Sequence, residues 1–157
     1  MNARFVHVNL VARDWMQLAA FYQHVFQCEP VPPERHLSGD WLSRATGVPD
    51  AALDGIHLRL PSRRGDGPTL EIFQYAQTRE KLPPAANRQG IGHIAFGVDD
   101  VALAVADVIA HGGGMMGEIV GREIPGAGRI TFAYATDPEG NIIELQQWDS
   151  AATHGSE

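Results

Sequence analysis

Gly90-Ile91-Gly92-His93-Ile94-Ala95-Phe96-Gly97-Val98-Asp99-Asp100 is the second appearance of a pattern that the chain has already used. Phe5-Val6-His7-Val8-Asn9-Leu10-Val11-Ala12-Arg13-Asp14 is the first. Laying His7 on His93, an offset of 86, matches Val8 to Ile94, Leu10 to Phe96 and Asp14 to Asp100. Each copy reads as a strand carrying one histidine and ending in an aspartate able to start a helix. A second pair of segments, Leu70 to Tyr75 and Ile143 to Trp148, matches at an offset of 73. The two offsets differ by 13 residues, so the first copy carries that much extra chain, and residues 36–54 are the place for it. A repeat of this period means two copies of one supersecondary module.

The elements follow from periodicity and punctuation. Residues 5–12 alternate and are rich in β-formers, which predicts a strand. Asp14 is the expected cap of a helix over 15–26, whose Trp15, Leu18, Phe21, Tyr22, Val25 and Phe26 share one face. Pro30, Pro32 and Pro33 restrict any strand over 29–35 to a sheet edge or a short length. Residues 36–54 are expected to be irregular, with a short helix over 41–45 capped by Asp40 and stopped by Gly47 and Pro49. Strands are expected over 55–61 and 69–75, with a turn over 63–68. In the second copy the expected order is a strand over 91–98, a helix over 101–111 capped by Asp99 or Asp100, and a glycine stop at Gly112, Gly113 and Gly114. Strands over 115–120, 129–136 and 141–148 follow, separated by a glycine-rich loop over 121–128 and a tight turn over 137–140.

Each half therefore reads strand, helix, three strands. The fold class is α+β, with a βαβββ module over 1–76, a linker over 77–89, a second βαβββ module over 90–149 and a frayed tail over 150–157.

Composition excludes several partners. The 157 residues carry a net charge of −7 and no basic cluster beyond Arg63-Arg64, so a phosphate-backbone footprint is not expected. No apolar run approaches the roughly 20 residues that span a bilayer, and the N-terminus lacks a signal-peptide layout. The single cysteine, Cys28, forms no internal disulfide, which fits a reducing, cytoplasmic setting. Its place after an apolar helix suits inert packing better than nucleophilic chemistry.

Strand parity then sorts the side chains. Val6, Val8 and Leu10 belong on the helix side, leaving Phe5, His7 and Asn9 opposite. Glu71, Phe73 and Tyr75 oppose Leu70 and Ile72; His93 opposes Ile94 and Phe96; Glu144, Gln146 and Trp148 oppose Ile143 and Leu145. A single histidine here is most simply a satisfied sheet residue, and a single glutamate an exposed or ion-paired one. Four at repeat-equivalent positions are another matter. Two imidazoles and two carboxylates suit one divalent cation such as Zn, Ni, Mn, Fe or Co, so His7, Glu71, His93 and Glu144 are the candidate ligands, provided that they converge. His57 and Arg59 share the pocket-side parity. His57 is a candidate catalytic residue that supports a ligand or meets substrate, with a solvated imidazole as the plain alternative. Phe5, Phe73, Tyr75 and Trp148 are candidate pocket walls, with ordinary sheet packing as the alternative; Asn9, Arg59 and Gln146 complete the candidate substrate pocket. His24, His36, His111 and His154 read as surface groups.

At Phe5-Val-His7, Pro68-Thr-Leu-Glu71-Ile-Phe73, Gly92-His93-Ile-Ala-Phe96 and Asp137-Pro-Glu-Gly-Asn-Ile-Ile-Glu144-Leu145 the chain resembles the vicinal oxygen chelate (glyoxalase/bleomycin resistance/dioxygenase) superfamily. The likeness covers both modules. It implies paired βαβββ modules forming a curved mixed sheet around a metal, with helices on the outer face, and a homodimer. The His/Glu/His/Glu set is similar to that of glyoxalase I, whose last carboxylate also serves as base, a role that falls on Glu144. Methylmalonyl-CoA epimerases usually have glutamine at the place of Glu71, and no basic patch suited to coenzyme A is evident. Four protein ligands leave two positions of an octahedral ion for neighbouring substrate oxygens. The implied function is a metal-dependent lyase or isomerase that stabilises an enediolate on a small molecule with vicinal oxygens. An iron extradiol dioxygenase, which uses two His and one carboxylate, is one alternative; a drug-binding resistance protein without turnover is the other. The segments 36–54 and 121–128 are candidate lids.

Overall fold

The computed structural model describes residues 1–62, 65 and 67–149. The expected turn over 63–68, with its Arg63-Arg64 pair, lies partly outside these residues, and the tail over 150–157 lies wholly outside. The chain divides into two compact units, Met1–Leu82 and Pro83–Glu157.

In unit 1 the order is β1 (His7–Val11), α1 (Trp15–Phe26), β2 (Glu29–Ser38), α2 (Asp40–Thr46), β3 (Ala52–Arg59) and β4 (Thr69–Tyr75). The sheet order is β1-β4-β3-β2, with β1 parallel to β4 and the other pairs antiparallel. Unit 2 contains β5 (Ile94–Gly97), α3 (Val101–Ala110), β6 (Gly114–Ile124), β7 (Gly128–Thr136) and β8 (Ile142–Asp149). Its order is β5-β8-β7-β6, again with one parallel pair. The two mixed four-stranded sheets have one topology.

The same local chemistry starts both long helices. Asp14 accepts from the Gln17 amide at 3.0 Å, and Asp100 accepts from the Leu103 amide at 2.9 Å. Each cap satisfies a donor that the first turn leaves free, worth about 1 kcal/mol. Behind the sheets the cores follow parity. Leu58, Leu70 and Ile72 are fully buried beside Leu18 and Tyr22 of α1, and Ile143 and Leu145 beside Val101 and Val108 of α3. At roughly 1.5–3 kcal/mol per fully buried large apolar side chain, these faces fix the register and so decide which residues point the other way.

Several expectations change. β1 and β5 begin at His7 and Ile94, later than residues 5 and 91, because the ladder with β4 starts at His7↔Thr69 and that with β8 at Ile94↔Ile143. Phe5 and Ile91 accordingly stand 69% and 84% exposed. β2 is an edge strand as its prolines require, yet runs ten residues; a register shift between Val31 and Arg35 absorbs Pro32 and Pro33. Residues 36–54 are regular for most of their length: β2 runs to Ser38, α2 follows, and β3 begins at Ala52. Asp40 is not the cap of α2; Gly39, at φ +106°, holds that place and makes no side-chain bond, while Asp40 lies in the first turn, where its charge suits the helix dipole.

The glycine-rich loop expected over 121–128 is mostly strand. β6 continues to Ile124 and β7 starts at Gly128, leaving three residues for the turn. Gly121 pairs with Thr131 in the ladder, and the atoms nearest the site of its missing β-carbon belong to the flexible Arg129 guanidinium, so the glycine is a strand residue and not a loop marker.

The expectation that helices cover the outer face holds for α1 and α3. α2 takes the other face of its sheet, packing Leu42 with Leu53, Phe73 and Tyr75. No helix among the described residues is long and apolar enough to cross a membrane.

Candidate functional site

Glu71 is the centre of the cluster in unit 1. It lies on β4, directly opposite His57 of β3 and beside Asn9 of β1 in the ladder. The carboxylate is held on both oxygens: Oε1 meets His57 Nε2 at 3.0 Å, while Oε2 meets His7 Nε2 at 3.3 Å and accepts from Asn9 Nδ2 at 3.4 Å. Its side chain is only 12% exposed, so these partners replace the hydration that burial removes. His57 Nδ1 lies 3.3 Å from Thr69 Oγ1. A neutral imidazole with its proton on Nε2 satisfies both neighbours, donating to Glu71 and accepting from the Thr69 hydroxyl. Burial pushes the His57 pKa down, with Arg35 and His7 adding to the shift and Glu71 opposing it. The Phe73 ring packs edge-on, 5.8 Å from that of His57.

In unit 2 the corresponding pair is His93 and Glu144, with Nε2 to Oε2 at 2.9 Å and the glutamate side chain 16% exposed. The partner opposite Glu144 on β7 is Tyr134, whose ring lies 5.2 Å from that of His93. Phe132 packs on Tyr134 at 6.0 Å. Gln146 accepts from Trp148 Nε1 at 2.8 Å.

Within the units, then, His7, Asn9, His57 and Glu71 come together, as do His93 and Glu144. Phe73 borders the first group. Tyr75 turns toward α2, Arg59 makes no polar side-chain contact among the described residues, and exposed Phe5 walls nothing in its unit. Cys28 is buried, and burial pushes its thiol up to about 12, which keeps it protonated and inert. Sequence reasoning missed Thr69 and Tyr134. Extending the repeat to the third strand would have found Tyr134, since it occupies in unit 2 the place of His57 in unit 1.

The donor types suit a borderline divalent ion, and each His–Glu pair brings an imidazole nitrogen and a carboxylate oxygen close together. In unit 1 the two imidazoles meet different oxygens of Glu71. Among the described residues no group of three or more His, Cys, Asp or Glu side chains is arranged to hold a metal ion. Each pair supplies two donors.

The sequence model of the Glyoxalase/Bleomycin resistance protein/Dioxygenase superfamily matches residues 4–145. No curated protein matches the chain. Among solved structures, a glyoxalase family protein from Bacillus cereus is 20% identical with a TM-score of 0.79, covering 94% of this chain and 95% of that one. The fosfomycin resistance protein FosX from Listeria monocytogenes, solved with Mn(II) and sulfate, is 19% identical with a TM-score of 0.55, covering 95% of each chain. A glyoxalase/bleomycin resistance protein/dioxygenase family enzyme from Burkholderia phytofirmans is 18% identical with a TM-score of 0.55, covering 94% of this chain and 100% of the other. At such identities the structural likeness is one of fold, and the match over 4–145 carries the assignment: the chain belongs to the glyoxalase/bleomycin resistance protein/dioxygenase superfamily.

Proposed function

We propose that the protein is a metal-dependent lyase or isomerase of glyoxalase type, acting on a small molecule with neighbouring oxygens. The observation that carries this reading is the recurrence of one His–Glu contact at repeat-equivalent places, His7 with Glu71 at 3.3 Å and His93 with Glu144 at 2.9 Å. Each pair supplies an imidazole nitrogen and a carboxylate oxygen, the donor types that a first-row divalent cation takes. When bound, the cation supplies Lewis-acid stabilisation of negative charge on substrate oxygens. Glu144, which lacks the second imidazole that restrains Glu71, is the base that takes the α-proton. His57 positions Glu71 by holding its Oε1, and Asn9 by donating to its Oε2. In this reading Phe73, next to His57, and Gln146, on the strand of Glu144, contact substrate. The functional form in this reading is a cytoplasmic homodimer.

The test combines metal content with proton exchange. Elemental analysis of the purified protein should find a first-row divalent metal. Metal-loaded protein in D₂O should exchange the α-protons of hydroxyacetone, followed by NMR. Glu144→Gln should cut that exchange by about 10²–10⁴-fold. Exchange unaffected by metal removal, or by Glu144→Gln, would overturn the reading.

One observation favours a second reading. The three partners of Glu71 hold it on both oxygens, and a carboxylate so engaged is less free to take a metal, which suits the smaller two-His, one-carboxylate set of an extradiol dioxygenase. Oxygen uptake with catechol after anaerobic Fe(II) loading, and metal content unchanged in Glu71→Gln, would select it.

A further inference from the structure

A cavity opens in unit 1, on the sheet face that carries Glu71 but at the other end of the strands. Glu71 and Tyr75 are four residues apart on β4, about 13 Å along the strand. Beside Tyr75 lies a half-open cleft of about 310 Å³, at the lower end of the range of roughly 300–1,000 Å³ that holds small ligands. The residues that follow α2 form one wall and the segment after β4 forms another. Val11, Val48, Pro49 and Tyr75 give it an apolar lining with one aromatic face.

Its polar side is unbalanced. Arg79 lines the cavity and, among the described residues, meets no carboxylate. The Thr78 hydroxyl is taken up by the Tyr75 carbonyl at 2.9 Å. The nearby carboxylates in sequence, Asp50 and Glu80, are not lining residues. At the C-terminal end of α2, which reaches the cavity through Gly47, the Leu42 carbonyl accepts from Thr46 Oγ1 and the Ser43 carbonyl from the Gly47 amide. These carbonyls already have donors, which moderates the negative end of the helix beside the cavity. In a chain of net charge −7, a guanidinium with no carboxylate partner among the described residues, beside an apolar, ring-sized space, is a receptor for an anion with an apolar body.

We propose that this cavity binds a small aromatic monocarboxylate, its carboxylate on Arg79 and its ring against Tyr75 and Val48. The site is independent of the metal reading. Nothing in it uses His7, His57 or Glu71.

The experiment titrates the full-length protein, kept in chelator, with benzoate and with its neutral analogue benzamide, followed by amide chemical shifts. Benzoate should bind about tenfold more tightly than benzamide, the margin of one charge-assisted hydrogen-bonded contact, with shifts centred on Val48 and Thr78. Arg79→Gln, a change at an exposed position, should erase the margin. Val48→Trp should weaken both ligands by filling the space. Equal binding of the two probes, a margin that survives Arg79→Gln, shifts centred on His57, or no binding would each overturn the proposal. Because the chelated protein carries no cation, such a failure leaves the metal reading standing.

Discussion

The two units share topology, helix caps and a His–Glu contact, yet their carboxylates live differently. Glu71 has two imidazoles and an amide on its oxygens. Glu144 has one imidazole, and opposite it stands Tyr134, whose ring packs on His93. The difference traces to two positions: His57 against Tyr134 on the third strand, and Asn9 against Ala95 on the first. The aromatic neighbours differ as well. In unit 1 Phe73 lies over Gly55 of β3; in unit 2 the ring belongs to β7, as Phe132 opposite Gln146. A duplicated fold has kept the contact and changed what braces it. A braced carboxylate suits a fixed ligand and a lightly held one suits proton transfer, which is the division of labour proposed for Glu71 and Glu144.

The sharpest way to break the comparison is to remove the brace. His57→Gln in unit 1 should lower Mn²⁺ or Zn²⁺ affinity by about 10–100-fold, the usual cost of losing a residue that orients a ligand. Tyr134→Phe in unit 2 keeps the ring contact and should change affinity little. Calorimetric titration of both variants checks this. Equal effects, or none, would reduce the difference between the units to packing.

The next largest effect concerns the aromatic rings. A β-carbon at Gly55 would stand 2.1 Å from the Ile72 carbonyl oxygen and 2.6 Å from Phe73 Cδ1. The oxygen belongs to the ladder and has no rotamer by which to yield. Gly55→Ala should therefore destabilise by about 1–3 kcal/mol, read from denaturant unfolding. A neutral result would mean that β3 and β4 separate easily, and with them His57 and Glu71.

Much of this was legible before any coordinates. The repeat predicts the order of elements and both aspartate caps, because cap and strand signals are local. The limits of β4, Thr69–Tyr75, also agree. Parity alone put Glu71 and His57 on one face. That they touch was not legible, since facing pairs depend on register, which joins residues fourteen apart through a ladder no local signal reveals. The same non-locality hid the long β6–β7 hairpin, which makes Gly121 a strand residue opposite Thr131. Nor did anything local show that α2 packs on the face of Phe73 and Tyr75; its few apolar residues fit either side.

The smallest effect is on acid stability, and it belongs to unit 1 alone. Burial holds the His57 pKa below its ordinary value near 6.5, with Arg35 and His7 adding and Glu71 opposing. Above about pH 6.5 the imidazole is neutral in the folded and the unfolded chain, and contributes nothing to the pH dependence. As the pH falls through that value, the unfolded chain takes the proton and the folded chain resists it. Stability is lost until the lowered folded-state value is passed, and then levels off. In metal-free protein the melting temperature should thus fall more steeply from pH 7.5 to 5.5 in the parent than in His57→Gln, while Tyr134→Phe should run parallel to the parent. Parallel curves for all three proteins would mean that the attraction of Glu71 offsets the burial of His57, and that the brace works as an ion pair and not through a neutral imidazole.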